Sequence, residues 1–146
     1  MSKQTLSNQI HIVLGLGKSG ISAAKLLKSE GKKVLVLENN SSQKLISLSK
    51  KLESEGIDVV LLNERLHIKH FTPWIDKIDT VIVSPGVEWD HEVLKELRSK
   101  NINTQGEVDL AWERLNHVPS IGITGTNGKT TVTNMLNHIL KFNNLN

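Results

Sequence analysis

The chain has 146 residues, of which 38% are hydrophobic and 23% charged, and a net charge of +3 at pH 7. This length gives room for one well-formed core but not for a second complete domain. The absence of cysteine excludes a disulfide framework and a thiolate metal site. Aromatic residues make up only 3%, too few for the stacking surfaces that single-stranded nucleic acids use. No apolar run is long enough to cross a membrane, so we expect a cytoplasmic protein that binds neither nucleic acid nor membrane.

Short apolar runs alternate with helical patterns through the first part of the chain. The predicted strands cover residues 10–14, 33–38, 57–62, 79–84 and, as a short edge strand, 102–104. The predicted helices cover residues 19–30, 43–55, 91–100 and 107–115. Strands that are apolar throughout are typical of parallel sheets covered by helices on both faces. The order therefore predicts a doubly wound α/β domain over residues 1–117, with a linker at 117–120.

The first glycine loop directly follows the first predicted strand and opens the first helix. Its spacing is Gly15-x-Gly17-x-x-Gly20, in which the glycines serve a tight turn, close approach to a phosphate, and helix–strand packing. Glu38 ends the second strand, where a carboxylate can accept hydrogen bonds from a ribose. Taken alone, this pattern predicts an NAD-dependent dehydrogenase or an NAD-binding regulatory domain. The alternative is a glycine turn that serves strand–helix packing only.

The fourth predicted strand ends in Ser84-Pro85-Gly86. Ligands of open parallel sheets bind beyond the carboxyl ends of the strands. We therefore expect Ser84 and the Gly86 backbone to lie near the first glycine loop, although Pro-Gly also begins ordinary loops.

A second glycine loop lies near the end of the chain, between a strand predicted over residues 119–124 and a helix predicted over 129–142. Gly125 and Gly128 permit backbone amides to wrap phosphates, and Lys129 follows at once. The strict G-x-x-x-x-G-K-[ST] pattern fails because isoleucine occupies its first glycine position. Its chemistry survives that mismatch, so the loop predicts a nucleotide phosphate site.

Four motifs in one order resemble those of the Mur ligases over nearly the whole chain. They are Gly15-Leu-Gly-Lys-Ser-Gly20, Ser84-Pro-Gly-Val87, Gly106-Glu-Val-Asp-Leu110 and Gly125-Thr-Asn-Gly-Lys-Thr-Thr131. Within the family, the resemblance is greatest to the D-glutamate-adding member. The L-alanine-adding member is the alternative, although it usually has histidine at the position of Asn127.

The resemblance implies a Rossmann-like domain that holds the UDP part of the substrate, followed by the start of a central ATP-binding domain at residues 118–146. The implied UDP site, in place of an NAD site, comprises Gly15, Gly17, Lys18, Ser19, Gly20, Glu38, Asn39, Ser84, Pro85 and Gly86. The implied ATP site comprises Gly125, Thr126, Asn127, Gly128, Lys129, Thr130 and Thr131. Lys129 and Thr130 would be catalytic, with the Thr130 hydroxyl as a Mg²⁺ ligand.

The implied reaction joins D-glutamate to UDP-N-acetylmuramoyl-L-alanine through an acyl phosphate made with ATP, as part of peptidoglycan synthesis and hence of cell shape and division. The family's other magnesium ligands, adenine contacts and amino-acid domain have no counterpart in these 146 residues. We therefore expect an N-terminal portion that cannot ligate by itself. A small P-loop NTPase is a third interpretation, but no later strand supplies the carboxylate that helps to hold the metal. The helix at 129–142 would expose Val132, Met135, Leu136 and Ile139, which favours self-association.

Overall fold

The computed structural model describes residues 9–145 and contains five strands and five α-helices in that range. The strands are β1 (Ile10–Leu14), β2 (Lys33–Glu38), β3 (Asp58–Leu61), β4 (Ile78–Val83) and β5 (Asn103–Gly106). The helices are α1 (Lys18–Ser29), α2 (Gln43–Ser54), α3 (Glu92–Ser99), α4 (Glu107–Leu115) and α5 (Lys129–Phe142). Two 3₁₀ helices, Ile68–His70 and Thr72–Lys77, lie between β3 and β4.

The five strands form one parallel sheet in the order β3-β2-β1-β4-β5. The central strand β1 pairs with β2 on one side and with β4 on the other, so that Ile12 lies opposite Leu35 and Val81. This confirms the predicted doubly wound α/β architecture, with β5 at one edge as expected. The reversal of strand order between β1 and β4 creates the topological switch point of the sheet.

The core has two parts because helices cover both faces of the sheet. On one face, Ile12 and Leu14 pack with Leu94 of α3, and on the other, Val13 packs with Leu27 of α1. Each of these side chains is almost completely buried. Successive strand residues point to opposite faces. The central strands β1 and β2 are therefore apolar at most positions, which is the pattern that predicted a parallel sheet.

The chain divides into two compact units between Leu115 and Asn116. In the second unit, α5 has the predicted bounds, but the strand predicted over residues 119–124 is wrong because these residues form no strand. A strand requires a hydrogen-bonded neighbour, and the sheet that the structure describes within residues 9–145 contains no strand from this segment. Ile121 is accordingly 64% exposed.

The apolar stripe expected on α5 is present at the surface. Val132, Met135 and Ile139 are 50%, 60% and 56% exposed, and Leu136 is half-buried. Self-association through this stripe stays a prediction. Within residues 9–145, no helix has the length and apolar character needed to span a membrane.

Candidate functional site

A pocket of about 450 Å³ lies beyond the carboxyl ends of β1, β2 and β4, at the switch point of the sheet. It is lined by Leu14, Gly15, Gly17, Ser19, Leu37, Glu38, Asn39, Asn40, Leu66, Ser84, Pro85, Gly86 and Val87. Its volume lies within the range of small-molecule sites. The first glycine loop and the Ser84-Pro85-Gly86 turn therefore meet at one site, as ligand binding at a switch point requires.

The three glycines of the first loop have three different roles. Gly15 has a φ of +98°, a backbone conformation that side-chain-bearing residues rarely adopt. A Cβ at Gly20 would lie 2.3 Å from the Gly15 carbonyl oxygen, so this glycine allows α1 to approach β1. A Cβ at Gly17 would meet no atom within 4 Å, which leaves space beside the loop backbone for a ligand.

The Glu38 carboxylate, at the end of β2, is hydrogen-bonded to the first glycine loop, which follows β1. Its Oε2 accepts a hydrogen bond from the Leu16 amide at 2.7 Å, and its Oε1 accepts one from the Asn40 amide at 2.9 Å. Leu16 lies between the first two glycines, so one loop amide is already paired with an anionic group of the protein. Each carboxylate oxygen still has a lone pair for a ligand donor, and the predicted contact with a ribose stays a prediction.

The loop between β3 and β4 supplies Leu66 to the pocket and is tied together by Glu64. The Glu64 carboxylate lies 2.8 Å from the Lys69 ammonium and 3.0 Å from His70 Nε2. A hydrogen bond from Lys69, which has the larger effect, and one from His70 lower the pKa of Glu64 to about 2. This segment has no periodic pattern, so sequence reasoning did not place it at the site.

Eight of the ten residues predicted for the UDP site line this pocket. The other two lie apart from it, because Lys18 is an exposed residue at the start of α1 and Gly20 is buried against Gly15. Sequence reasoning missed Leu14, Leu37, Asn40, Leu66 and Val87; Leu14 and Leu37 lie at the ends of two strands that were predicted without a site role. Val87 belongs to the motif quoted above and Asn40 follows Glu38 closely, so both had a signal. Leu66 had none.

The second glycine loop folds against its own helix. Gly125 and Gly128 have φ values of +151° and +75°, and Lys129 Nζ donates a hydrogen bond to the Gly125 carbonyl at 2.5 Å. The remaining residues predicted for the ATP site are all exposed, namely Thr126, Asn127, Thr130 and Thr131. Amides in the first turn of α5 have no acceptor within the helix and can bind an anion.

The chemistry of this loop fits magnesium only in part. The Thr130 hydroxyl is an oxygen ligand of the kind that Mg²⁺ accepts. Across the described range 9–145, no three histidine, cysteine, aspartate or glutamate residues lie together as a metal site.

The parallel five-stranded sheet, with helices on both faces and a pocket at its switch point, defines a Rossmann-like type of domain. The model of the family described as "Mur ligase MurD-like, N-terminal domain" matches residues 9–106. The chain belongs to this family, as the sequence motifs predicted.

Relatives and solved structures agree with this assignment. Over all 146 residues, the chain is 74% identical to a UDP-N-acetylmuramoylalanine–D-glutamate ligase from Prochlorococcus marinus (strain NATL2A). The match covers 31% of that ligase. A ligase of the same name from Synechococcus sp. (strain CC9902) is 50% identical over 88% of this chain and 28% of its own length. The chain thus spans under a third of the length of these relatives.

Among solved structures, a murein peptide ligase from Psychrobacter arcticus matches 93% of this chain and 27% of its own, with a TM-score of 0.60 and 25% identity. UDP-N-acetylmuramate-alanine ligase MurC from Thermotoga maritima matches 91% of this chain and 29% of its own, with a TM-score of 0.53 and 27% identity. Mur ligases of different names therefore share this fold.

Proposed function

We propose that this chain is the N-terminal part of an ATP-dependent ligase that adds D-glutamate to UDP-N-acetylmuramoyl-L-alanine in peptidoglycan synthesis. The observation that carries the proposal is the switch-point pocket, in a chain that is 74% identical throughout to a relative of that name. The pocket would hold the UDP part of the substrate. A cytoplasmic location belongs to the same proposal, because the reaction draws on ATP and a sugar nucleotide.

The contacts of Glu38 favour a nucleoside, and not a pyrophosphate, beside its carboxylate. In a dinucleotide site the loop amides and the start of the helix receive a pyrophosphate. Here the Leu16 amide is bonded to a carboxylate at 2.7 Å, and a second anion beside that carboxylate would be repelled. A uridine presents donor groups, an imide N–H and ribose hydroxyls, which can bond to a carboxylate. The ribose hydroxyls of NAD could bond to this carboxylate as well, so the preference for UDP over the NAD-binding regulatory module rests on the 74% identity to a UDP-N-acetylmuramoylalanine–D-glutamate ligase.

The L-alanine-adding ligase is the second candidate within the family. MurC from Thermotoga maritima shares the fold, so the sheet does not distinguish the two. Four curated relatives, between 48% and 74% identical, all carry the name of the D-glutamate ligase, and Asn127 stands where the L-alanine-adding member usually has histidine. These observations together favour D-glutamate as the incoming amino acid.

The second glycine loop would take part in the phosphoryl transfer of the proposed reaction. The substrate carboxylate attacks the γ-phosphorus of ATP and ADP leaves; the D-glutamate amine then attacks the acyl carbon, and phosphate leaves as the amide forms. Lys129 would neutralise charge on the transferring phosphoryl group, and Thr130 would help to hold Mg²⁺, which stabilises the phosphate charge when bound. The hydrogen bond from Lys129 to Gly125 keeps the ammonium within the loop until phosphate competes for it.

Calorimetric titration of the 146-residue chain tests the first pocket. We expect UDP-N-acetylmuramoyl-L-alanine and UDP to bind and NAD not to bind. Binding of NAD alone would refute the proposal. With ATP, acceptor and D-glutamate together, we expect no phosphate release from this chain, and turnover would contradict the idea that ligation requires more than these residues.

A chimera tests the second loop. The chain would replace the matching 31% of the Prochlorococcus marinus ligase, and Lys129→Ala would be compared with Lys141→Ala at the other end of α5. We expect the first variant to lose at least about a hundredfold in kcat, because a charge-stabilising group of the transition state is removed. We expect the second to keep normal activity. Equal activities in the two variants would refute the role of Lys129.

A further inference from the structure

The Gly106–Leu110 motif contributes no residue to the lining of the 450 Å³ pocket. It lies where β5 ends and α4 begins, and the Gly106 amide donates to Asp109 Oδ2 at 3.3 Å. Within the same motif, the Glu107 carboxylate accepts a hydrogen bond from Ser84 Oγ at 2.5 Å. These two residues are 23 positions apart and meet because β5 lies beside β4 in the sheet.

The Ser84 hydroxyl lies directly against the first glycine loop. Its oxygen is 3.3 Å from where a Cβ of Gly15 would stand, and 3.2 Å from that of Gly20. The hydroxyl therefore fills space that these two glycines leave free. Ser84 Oγ gives its single proton to Glu107 Oε1. The side chain is thereby held in one orientation.

The second oxygen of Glu107 points to a role other than stability. Glu107 Oε2 is buried and forms no hydrogen bond within the described part of the chain. A buried carboxylate oxygen without a partner lowers stability, and such an atom in a folded protein calls for an explanation. Glu107 is also absent from the lining of the 450 Å³ pocket, so it would act on a ligand there only through Ser84.

We propose that Glu107 is a positioning residue for the nucleotide pocket, which holds Ser84 against Gly15 and Gly20 and so sets the glycine loop and the Ser84-Pro85-Gly86 turn in their binding geometry. This inference rests on the proposed binding of the UDP part of the substrate. A contact kept for positioning predicts that its removal weakens binding and leaves thermal stability unchanged or higher. If the contact serves folding instead, its removal should lower thermal stability and leave binding by the folded protein unchanged.

Three variants separate these roles. Glu107→Leu keeps the side-chain volume but removes the acceptor, Glu107→Gln keeps an acceptor oxygen, and Ser84→Ala removes the donor. We expect Glu107→Leu and Ser84→Ala each to raise the Kd for UDP-N-acetylmuramoyl-L-alanine about tenfold or more, as loss of a charged hydrogen bond would. Glu107→Gln should stay within about threefold of the parent chain. Glu113→Gln, at an exposed position of the same helix, is the matched control and should change nothing.

The double variant Ser84→Ala with Glu107→Leu should bind no more weakly than either single variant, because both remove the same interaction. Additive losses, or an unchanged Kd in Glu107→Leu, would overturn the proposal. So would a fall in melting temperature with binding of the folded protein unchanged.

Hydrogen exchange of the amides from Leu16 to Gly20 in the free chain gives a readout that does not depend on the ligand. We expect faster exchange in Glu107→Leu than in Glu113→Gln. If the parent chain binds neither UDP compound, the proposed function fails, and the exchange rates alone decide the role of Glu107. Unchanged exchange would then refute it.

Discussion

Replacing Gly20 with alanine should destabilise the domain by a backbone clash. The added Cβ would stand 2.3 Å from the Gly15 carbonyl oxygen, more than about 1 Å inside normal contact distance. Neither backbone can move alone, because α1 is held to the sheet by buried Ala23, Ala24 and Leu27. The methyl therefore forces the helix away from β1.

The magnitude follows from two opposed terms. Overpacking against rigid structure costs about 3 kcal/mol, and the replacement of glycine by alanine within a helix returns about 1 kcal/mol. The net loss is therefore about 2 kcal/mol. For a domain of this size, at about 4 °C for each kcal/mol, the melting temperature should fall by about 8 °C.

Gly17→Ala is the matched control in the same loop. Gly17 precedes α1 with a φ of −69°, and a Cβ there would meet no atom within 4 Å. Alanine is a poorer residue at the start of a helix but also reduces the freedom of the unfolded chain. These effects nearly cancel, to within about 0.5 kcal/mol. The methyl stands at the pocket wall, so Gly17→Ala should weaken UDP binding while it leaves stability nearly unchanged.

Thermal unfolding followed by circular dichroism, with calorimetry of UDP binding, measures both effects. A melting temperature of Gly20→Ala within about 2 °C of the parent would refute the close approach of α1 to β1. An equal loss of stability in Gly20→Ala and Gly17→Ala would show that Gly20 does not serve packing more than Gly17 does.

Two further predictions concern charged groups of the first unit. Burial lowers the pKa of His11 below 6.5 despite the nearby Asp79 carboxylate, so the unfolded chain binds the proton first and stability should fall as pH drops below about 6.5. Urea midpoints between pH 7.5 and 5.5 test this, and His11→Gln should reduce the slope; an unchanged slope would contradict it. The Glu30 carboxylate bonds Arg114 at 2.7 and 2.8 Å, which lowers the pKa of Glu30. Because both groups are about 30% exposed, Glu30→Gln should cost less than about 1 kcal/mol at pH 7 in urea unfolding, and a larger loss would show that the pair does more than join α1 to α4.

The elements of the first unit could be predicted because their signals are local. Continuous apolar runs between glycine turns predicted strands such as β1 and β2, and the three- and four-residue spacing of Val93, Leu94 and Leu97 predicted the buried face of α3. The strand predicted over residues 119–124 rested on only two isoleucines, Ile121 and Ile123, and is wrong. A strand exists only with a neighbour, and no local pattern contains that neighbour.

The loops beyond the carboxyl ends of the strands could be predicted from sequence, and a phosphate-bearing ligand for them stays a prediction, because turn residues and their spacing lie close together in the chain. What each polar group contacts depends on the folded arrangement of the strands. Leu16, one of the two partners of Glu38, is 22 residues away from it, and Glu107 is 23 residues away from Ser84. Both contacts arise from the order in which strands lie side by side, since pairing in the sheet brings together residues that are distant in sequence.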